Sequence, residues 1–235
     1  ALPASFTGII VGNEVLDALP VHCVQWQHDK IYERGVTWNR TQFEWALRER
    51  REGPVWQAAQ NLPIDKSALD APYTSEINFA APALVHALAA MLLRGAMIFI
   101  DYGFPQLEYY HPQRHMGTLR AHYRHHALDD PFFLPGLCDL TAHVDFSALA
   151  QAATQSGLTL AGYTSQASFL MNAGITELLM QTPPANAADY LPQANAVQRL
   201  ISPAEMGELF KAIGFTKGFD LRWPGYFQRC RNYIL

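Results

Sequence analysis

Acidic side chains at the ends of apolar runs carry the most visible chemistry in this sequence. The run FTGIIV at 6–11 leads into GNEVLDALP, which gathers Asn13, Glu14 and Asp17. A second run, AMIFI, ends in Asp101, Tyr102 and Gly103. The stretch YTSEI adds Glu76. A carboxylate at the end of a strand can hold a cationic substrate, orient a hydroxyl or accept a proton. Asn13 or Asp17 can equally satisfy free N–H groups after the strand. An acid directly behind a buried run has little capping use, which favours a functional Glu14. Glu76 can pair with an incoming cation or stand solvated in a loop.

A dense aromatic and polar block, FFLPG followed by CDLTAHVDF, places Asp139 and His143 as the polar members best able to face a ligand. Phe132 and Phe133 suit a buried turn. Histidines also gather at His111, His115, His122, His125, His126 and His143. None has a cysteine or paired carboxylate at convincing ligand spacing, so no metal is assigned. In GTLRAHYRHH, alternation would put Arg120, His122 and Arg124 on one face of a strand. With Arg114, that face suits an anionic group or a protein partner. No two glycines stand as Gly-x-Gly and no glycine is followed by lysine, which excludes a dinucleotide fingerprint or phosphate loop within these residues. Gly-x-Ser-x-Gly and His-Glu-x-x-His are also absent, so a hydrolase using Asp101 or Asp139 with a histidine ranks last.

These residues need elements to position them. Residues 6–11 read as a buried strand. Residues 21–26, 30–38 and 42–50 read as three closely spaced strands, hence an antiparallel meander. A short helix is expected at 54–62 and a longer one at 82–94, stopped by Gly95. The strand 96–101 follows. Asp145 can cap a helix that ends at Gly157, with a strand at 158–163 behind it. Ser202-Pro203-Ala204-Glu205 has the form of a capping box, predicting a helix through 210–213 that stops at Gly214. Strands near 215–223 and 226–234 would close the chain. The proline-rich stretch 182–196 reads as a surface loop. Helices alternating with apolar strands indicate an α/β sheet. The meander at 21–50 and a His-, Arg- and aromatic-rich stretch at 104–144 read as insertions on it.

Composition narrows the classes further. The 235 residues are 49% hydrophobic and 16% charged, enough apolar material for a substantial core. A net charge of −4 gives no overall basic field for nucleic acid. No apolar stretch approaches the roughly 20 residues of a membrane span. Three widely spaced cysteines build no disulfide framework, which suits a reducing compartment such as the cytoplasm. The open edge of the meander is a surface that a second copy could cover, as in a homodimer.

The blocks GIIVGNEVLDALPVH, YTSEIN, GAMIFIDYGF, HMGTLRAHYRHH, PGLCDLTAHVDFSALA and QASFLMNAGI together resemble the MidA-like methyltransferases. This is the family of the mitochondrial complex I assembly factor that methylates an arginine. The blocks follow family order over residues 8–210. The resemblance implies a class I S-adenosylmethionine-dependent methyltransferase with a Rossmann-like sheet, in the mitochondrial matrix if the source is eukaryotic. It implies a protein substrate with an arginine acceptor. It also implies that residues 1–235 are the C-terminal part of one methyltransferase domain, because the family's Gly-rich cofactor loop precedes the block that begins at Asn13. A partial sheet and an incomplete S-adenosylmethionine site are therefore expected, completed by an N-terminal segment of the same protein, and this fragment alone should be inactive. By the motif, Glu14 is the first candidate to clamp the guanidinium, with Asp17 and Glu76 behind it. Asn13 would lie nearest the methyl group, and Asp101, Tyr102 and Gly103 would shape the pocket floor. A non-catalytic assembly module is the alternative.

Overall fold

The structure, a computed structural model, describes residues 3–65, 69, 71–124 and 126–218. In chain order the elements begin with β1 (Phe6–Asn13), β2 (His22–Gln27), β3 (Lys30–Trp38), β4 (Phe43–Arg50) and α1 (Pro54–Asn61). Next come β5 (Tyr73–Ile77), α2 (Ala80–Met91), β6 (Leu92–Phe104), α3 (Gln106–Tyr109), β7 (Arg120–Tyr123), β8 (His126–Leu128) and β9 (Asp139–Thr141). The last are β10 (Val144–Asp145), α4 (Phe146–Gln155), β11 (Thr159–Ser165), α5 (Gln166–Asn172), α6 (Ile175–Leu179), α7 (Ala187–Ile201), α8 (Met206–Leu209) and β12 (Phe210–Lys217). They form two compact units. One holds residues up to Val15, Val85–Gly103 and those from Leu149 on; the other holds Leu16–Leu84 and Phe104–Ala148.

The first unit is the α/β sheet expected from the sequence. Its strands run in the order β1-β6-β12-β11. β1 lies parallel to β6, and β12 is antiparallel to both β6 and β11. β6 is almost wholly buried because both faces carry apolar residues, including Met97 and Phe99. Val85 and Ala89 of α2, and Leu149, Ala152 and Ala153 of α4, are buried alanine-sized or branched residues that let helices sit close. Lys217 Nζ donates to the Ala89 carbonyl at 2.6 Å, tying α2 to the end of β12.

The second unit holds the expected meander. β2, β3 and β4 pair antiparallel, and β5 adds on the far side of β2, giving the order β4-β3-β2-β5. Its core is Val24, Trp26, Ile31, Val55, Ala59, Tyr73 and Ile77. Trp26 and Tyr73 meet edge-on at 5.8 Å. A small sheet, β8-β7-β9, completes the unit.

Several expectations change. Residues 210–213 are strand, not helix. Ser202 closes α7 instead of opening a long helix, and its carbonyl accepts from the Glu205 and Gly207 amides. A Cβ on Gly207 would lie 2.3 Å from the Ile201 carbonyl oxygen, so the chain turns too tightly there for more than the single turn of α8. Phe210, Ala212, Ile213 and Phe215 are then buried in a central strand, and that pairing outweighs the local capping signal. Much of the expected loop at 182–196 is α7, which carries Pro192 inside it and leaves no residue buried. Its alanines favour helix strongly enough to tolerate one lost donor. Arg124 does not share the strand face of Arg120 and His122; it sits at positive φ in the turn after β7. Residues beyond 218, including the rest of the expected terminal strands, lie outside the described residues, as does His125.

Gly95 also departs from expectation. It is not a helix stop but a strand residue with φ +154, paired with Gly8. A Cβ there would lie 1.8 Å from the Gly8 carbonyl oxygen. Gly95→Ala should therefore force β1 off β6 and lower stability by at least about 2 kcal/mol in urea unfolding; an unchanged midpoint would contradict this close approach.

Candidate functional site

In the first unit, the parallel pairing sets the chemistry. Asn13 is in register with Ile100, so β1 and β6 bring Asn13, Glu14 and Asp101 to one end of the sheet. The Glu14 amide donates to the Ile100 carbonyl at 3.0 Å. Glu14 itself turns at φ 50, a left-handed conformation that is uncommon for a side chain of this kind. Its Oε1 accepts from Asn13 Nδ2 at 3.3 Å, and both side chains are exposed. Asp101 is fully buried, and its Oδ1 accepts from the Tyr102 amide. Tyr102 packs edge-on against Phe210 at 5.3 Å, and Gly103 is buried. An exposed carboxylate beside an amide, at the carboxyl end of a parallel strand pair, is where α/β sheets bind ligands.

In the second unit, Glu76 is neither solvated nor in a loop. It lies in β5 and is 2% exposed. Its Oε2 accepts from the Thr118 amide at 2.9 Å and the Thr118 hydroxyl at 2.8 Å, with Tyr109 Oη at 3.4 Å. Its Oε1 accepts from the Thr118 amide at 3.1 Å and the Leu119 amide at 3.3 Å. Gly117, at φ +76, is needed for this approach, because a Cβ there would stand 2.3 Å from Oε1. Burial and the Glu76 charge both push the Tyr109 phenol far above its ordinary range, so it stays a donor.

Thr118 links Glu76 to two further candidates. Its Oγ1 also accepts from the His143 amide at 3.1 Å. One residue earlier, the Ala142 amide donates to the Asp17 carbonyl at 3.0 Å. Asp17, Thr118, Glu76 and His143 thus form one connected group. The imidazole of His143 packs on Phe104 at 5.3 Å, and Arg114 lies over that same ring at 3.7 Å. Burial, then Arg114 and Arg120, lowers the His143 pKa to about 4, so the ring is neutral near pH 7. Asp139 stands apart, exposed in β9 opposite His122.

A cavity of 370 Å³ opens beside this group, with Asp17, His22, Cys23, Glu33, Arg34 and Thr141 in its wall. Burial, followed by the Glu76 charge, raises the Cys23 thiol to about 12, which keeps it protonated near pH 7. Burial raises the Glu33 pKa, but hydrogen bonds from His22 and Arg50 outweigh it and hold the carboxyl below its ordinary value. Sequence reasoning missed Thr118, Tyr109 and Gly117. Nothing local to these residues named the acceptor in β5, some forty residues away.

Residues 1–164 match the family described as "Putative S-adenosyl-L-methionine-dependent methyltransferase", and the chain belongs to that family. Among solved structures, a Burkholderia thailandensis protein bound to S-adenosyl-homocysteine is 49% identical, with a TM-score of 0.92 over 100% of this chain and 60% of its own. A native structure from the same organism is 52% identical with a TM-score of 0.89, covering 98% of this chain and 60% of its own. Among named relatives, the zebrafish (Danio rerio) mitochondrial protein arginine methyltransferase NDUFAF7 is 30% identical over 89% of this chain and 47% of its own length. The Drosophila melanogaster homologue is 29% identical over 92% and 48%. The chain spans about half the length of these curated relatives.

Replacing Glu76 by Gln would turn an amide N–H toward backbone N–H donors that have no other acceptor of this quality. Glu76→Gln should destabilise the protein by about 3 kcal/mol in urea unfolding, from buried donors left facing a donor. A loss below about 0.5 kcal/mol would show that the carboxylate is not the anchor of residues 117–119.

Proposed function

We propose that this chain forms the acceptor side of an S-adenosyl-L-methionine-dependent methyltransferase acting on an arginine of a protein. The observation that carries this is the register of β1 on β6, which sets an exposed Asn13–Glu14 pair at the carboxyl end of a parallel strand pair. The family match, the neighbour bound to S-adenosyl-homocysteine and the names of the curated relatives support it.

When bound, S-adenosylmethionine supplies an electrophilic methyl group on a sulfonium. Asn13 fits one wall of its site: its amide donates to Glu14 through Nδ2, and an amide oxygen suits a cationic group. The described residues offer no Gly-x-Gly turn for the remainder. We assign that wall to a segment of the same protein that precedes this chain. β1 supports the assignment, because β6 alone pairs with it among the described strands, and Ile9 and Val11 are 67% and 64% exposed. Parallel strands are ordinarily covered on both sides.

The chain's own task is to hold the acceptor. A guanidinium nitrogen is a poor nucleophile while its charge is delocalised. Glu14 would grip the fork and concentrate charge on one nitrogen, aligning the other for in-line attack. Asp101, Tyr102 and Gly103 form the floor behind it. In the second unit, Asp17 contributes its carboxylate beside the cavity. The engaged oxygens of Glu76 make it a positioning residue for 117–119 and, through Thr118, for His143.

In the intact protein carrying this sequence, Glu14→Gln should lower methyl transfer from labelled S-adenosylmethionine to an arginine peptide by about 100-fold. Unchanged transfer would remove Glu14 from the mechanism. Calorimetric titration of residues 1–235 alone should give no binding tighter than about 1 mM, and a micromolar Kd would overturn the assignment of the second wall to another segment.

A further inference from the structure

The tip of the β3–β4 hairpin and the turn before β9 enclose a cleft of 710 Å³ in the second unit. Its wall carries four aromatic rings, from Trp38, Phe43, Trp45 and Phe132. Trp38 and Phe43 meet edge-on at 5.1 Å, and Trp45 and Phe132 lie 5.0 Å apart. Trp38 and Phe43 are 55% and 41% exposed, so much ring area stays open to a guest. Two carboxylates, Glu44 and Asp130, complete the rim, and no lysine, arginine or histidine is among the described residues that line it.

Each acid is held through one oxygen, and among the described residues the other makes no hydrogen bond. Glu44 Oε2 accepts from Asn39 Nδ2 at 2.9 Å, and Asp130 Oδ1 accepts from the Phe132 amide at 2.9 Å. The hairpin tip is itself fixed, since Asn39 Oδ1 accepts from the Thr41 amide and hydroxyl and from the Gln42 amide. The cleft is therefore pre-formed, acidic and aromatic.

We propose that this cleft docks an arginine-bearing segment of a partner protein, through residues other than those of the strand-end rim where the methyl acceptor is placed. Aromatic faces attract cations, and a planar guanidinium both stacks on a ring and offers a fork to carboxylates. The protein stacks its own guanidinium on one of these rings: Arg34 lies 4.3 Å from the centre of the Trp45 ring. A lysine ammonium is more strongly hydrated and lacks the stacking face. The cleft is larger than one side chain requires, so residues flanking the arginine fit with it. That the segment belongs to the methyl acceptor rests on the function proposed above; its cationic character does not.

The test is binding of acetyl-Gly-Arg-Gly-Arg-Gly amide to the 235-residue chain, followed by tryptophan indole NMR shifts. Citrulline and lysine counterparts serve as the neutral isostere and the other cation. The arginine peptide should bind about tenfold tighter than the citrulline peptide, and also tighter than the lysine peptide. Trp38→Ala and Asp130→Asn should each weaken it about fivefold. Equal binding of arginine and citrulline peptides, or of arginine and lysine peptides, would overturn the proposal. So would unchanged affinity in Asp130→Asn, which decides the matter if Trp38→Ala fails to fold. Methyl transfer measured in the intact protein separates the two ideas. Transfer to arginine with unaltered docking in both variants sinks the cleft alone; docking lost in the variants, with no transfer to any arginine, sinks the arginine acceptor alone.

Discussion

A carboxylate in the middle of a buried strand is the constraint around which the second unit is arranged. Taking Glu76 out of water is costly unless donors replace the water. The chain meets that demand with two backbone amides, a threonine hydroxyl and a tyrosine hydroxyl. Residues 117–119 are held in return, and Gly117 is the position that permits the approach. The consequence spreads along the chain. Thr118 fixes the backbone at His143, and the segment beside it fixes Asp17. The loop segments of the cavity wall thus depend on a charge buried in β5 as well as on the pairing of β2, β3 and β9.

The first unit solves a different problem by backbone contact. Gly95 lets β1 approach β6 closely, and the resulting register decides which residues emerge at the carboxyl end. Asn13 and Glu14 are exposed there because the strand has ended, while Asp101 is buried because β6 continues to Phe104. A slip of one residue would turn these side chains over. Function at this rim is therefore a matter of pairing geometry before it is one of side-chain chemistry.

Elements with purely local causes were legible in the sequence. The meander strands at 30–38 and 42–50 needed only alternation and turn residues, and Asp145 caps α4 through the Ser147 and Ala148 amides as its position suggests. Elements with distant causes were not. Ser202 and Glu205 carry a helix signal, yet β12 is decided by β6, more than a hundred residues earlier. The acids at 14, 17, 76 and 101 could be singled out by type. The role of Glu76 could not, because its partners lie some forty residues away. The family resemblance drew on whole blocks and reached the fold and family, but it did not supply the partners of Glu76.

Native-state amide hydrogen exchange tests the central claim most directly. Thr118 and Leu119 belong to no strand, and an ordinary surface turn would exchange quickly. If the buried Glu76 carboxylate holds them, their amides will exchange as slowly as those of β5, through global unfolding only. Exchange near the rate of an open loop would show that the carboxylate does not organise this unit.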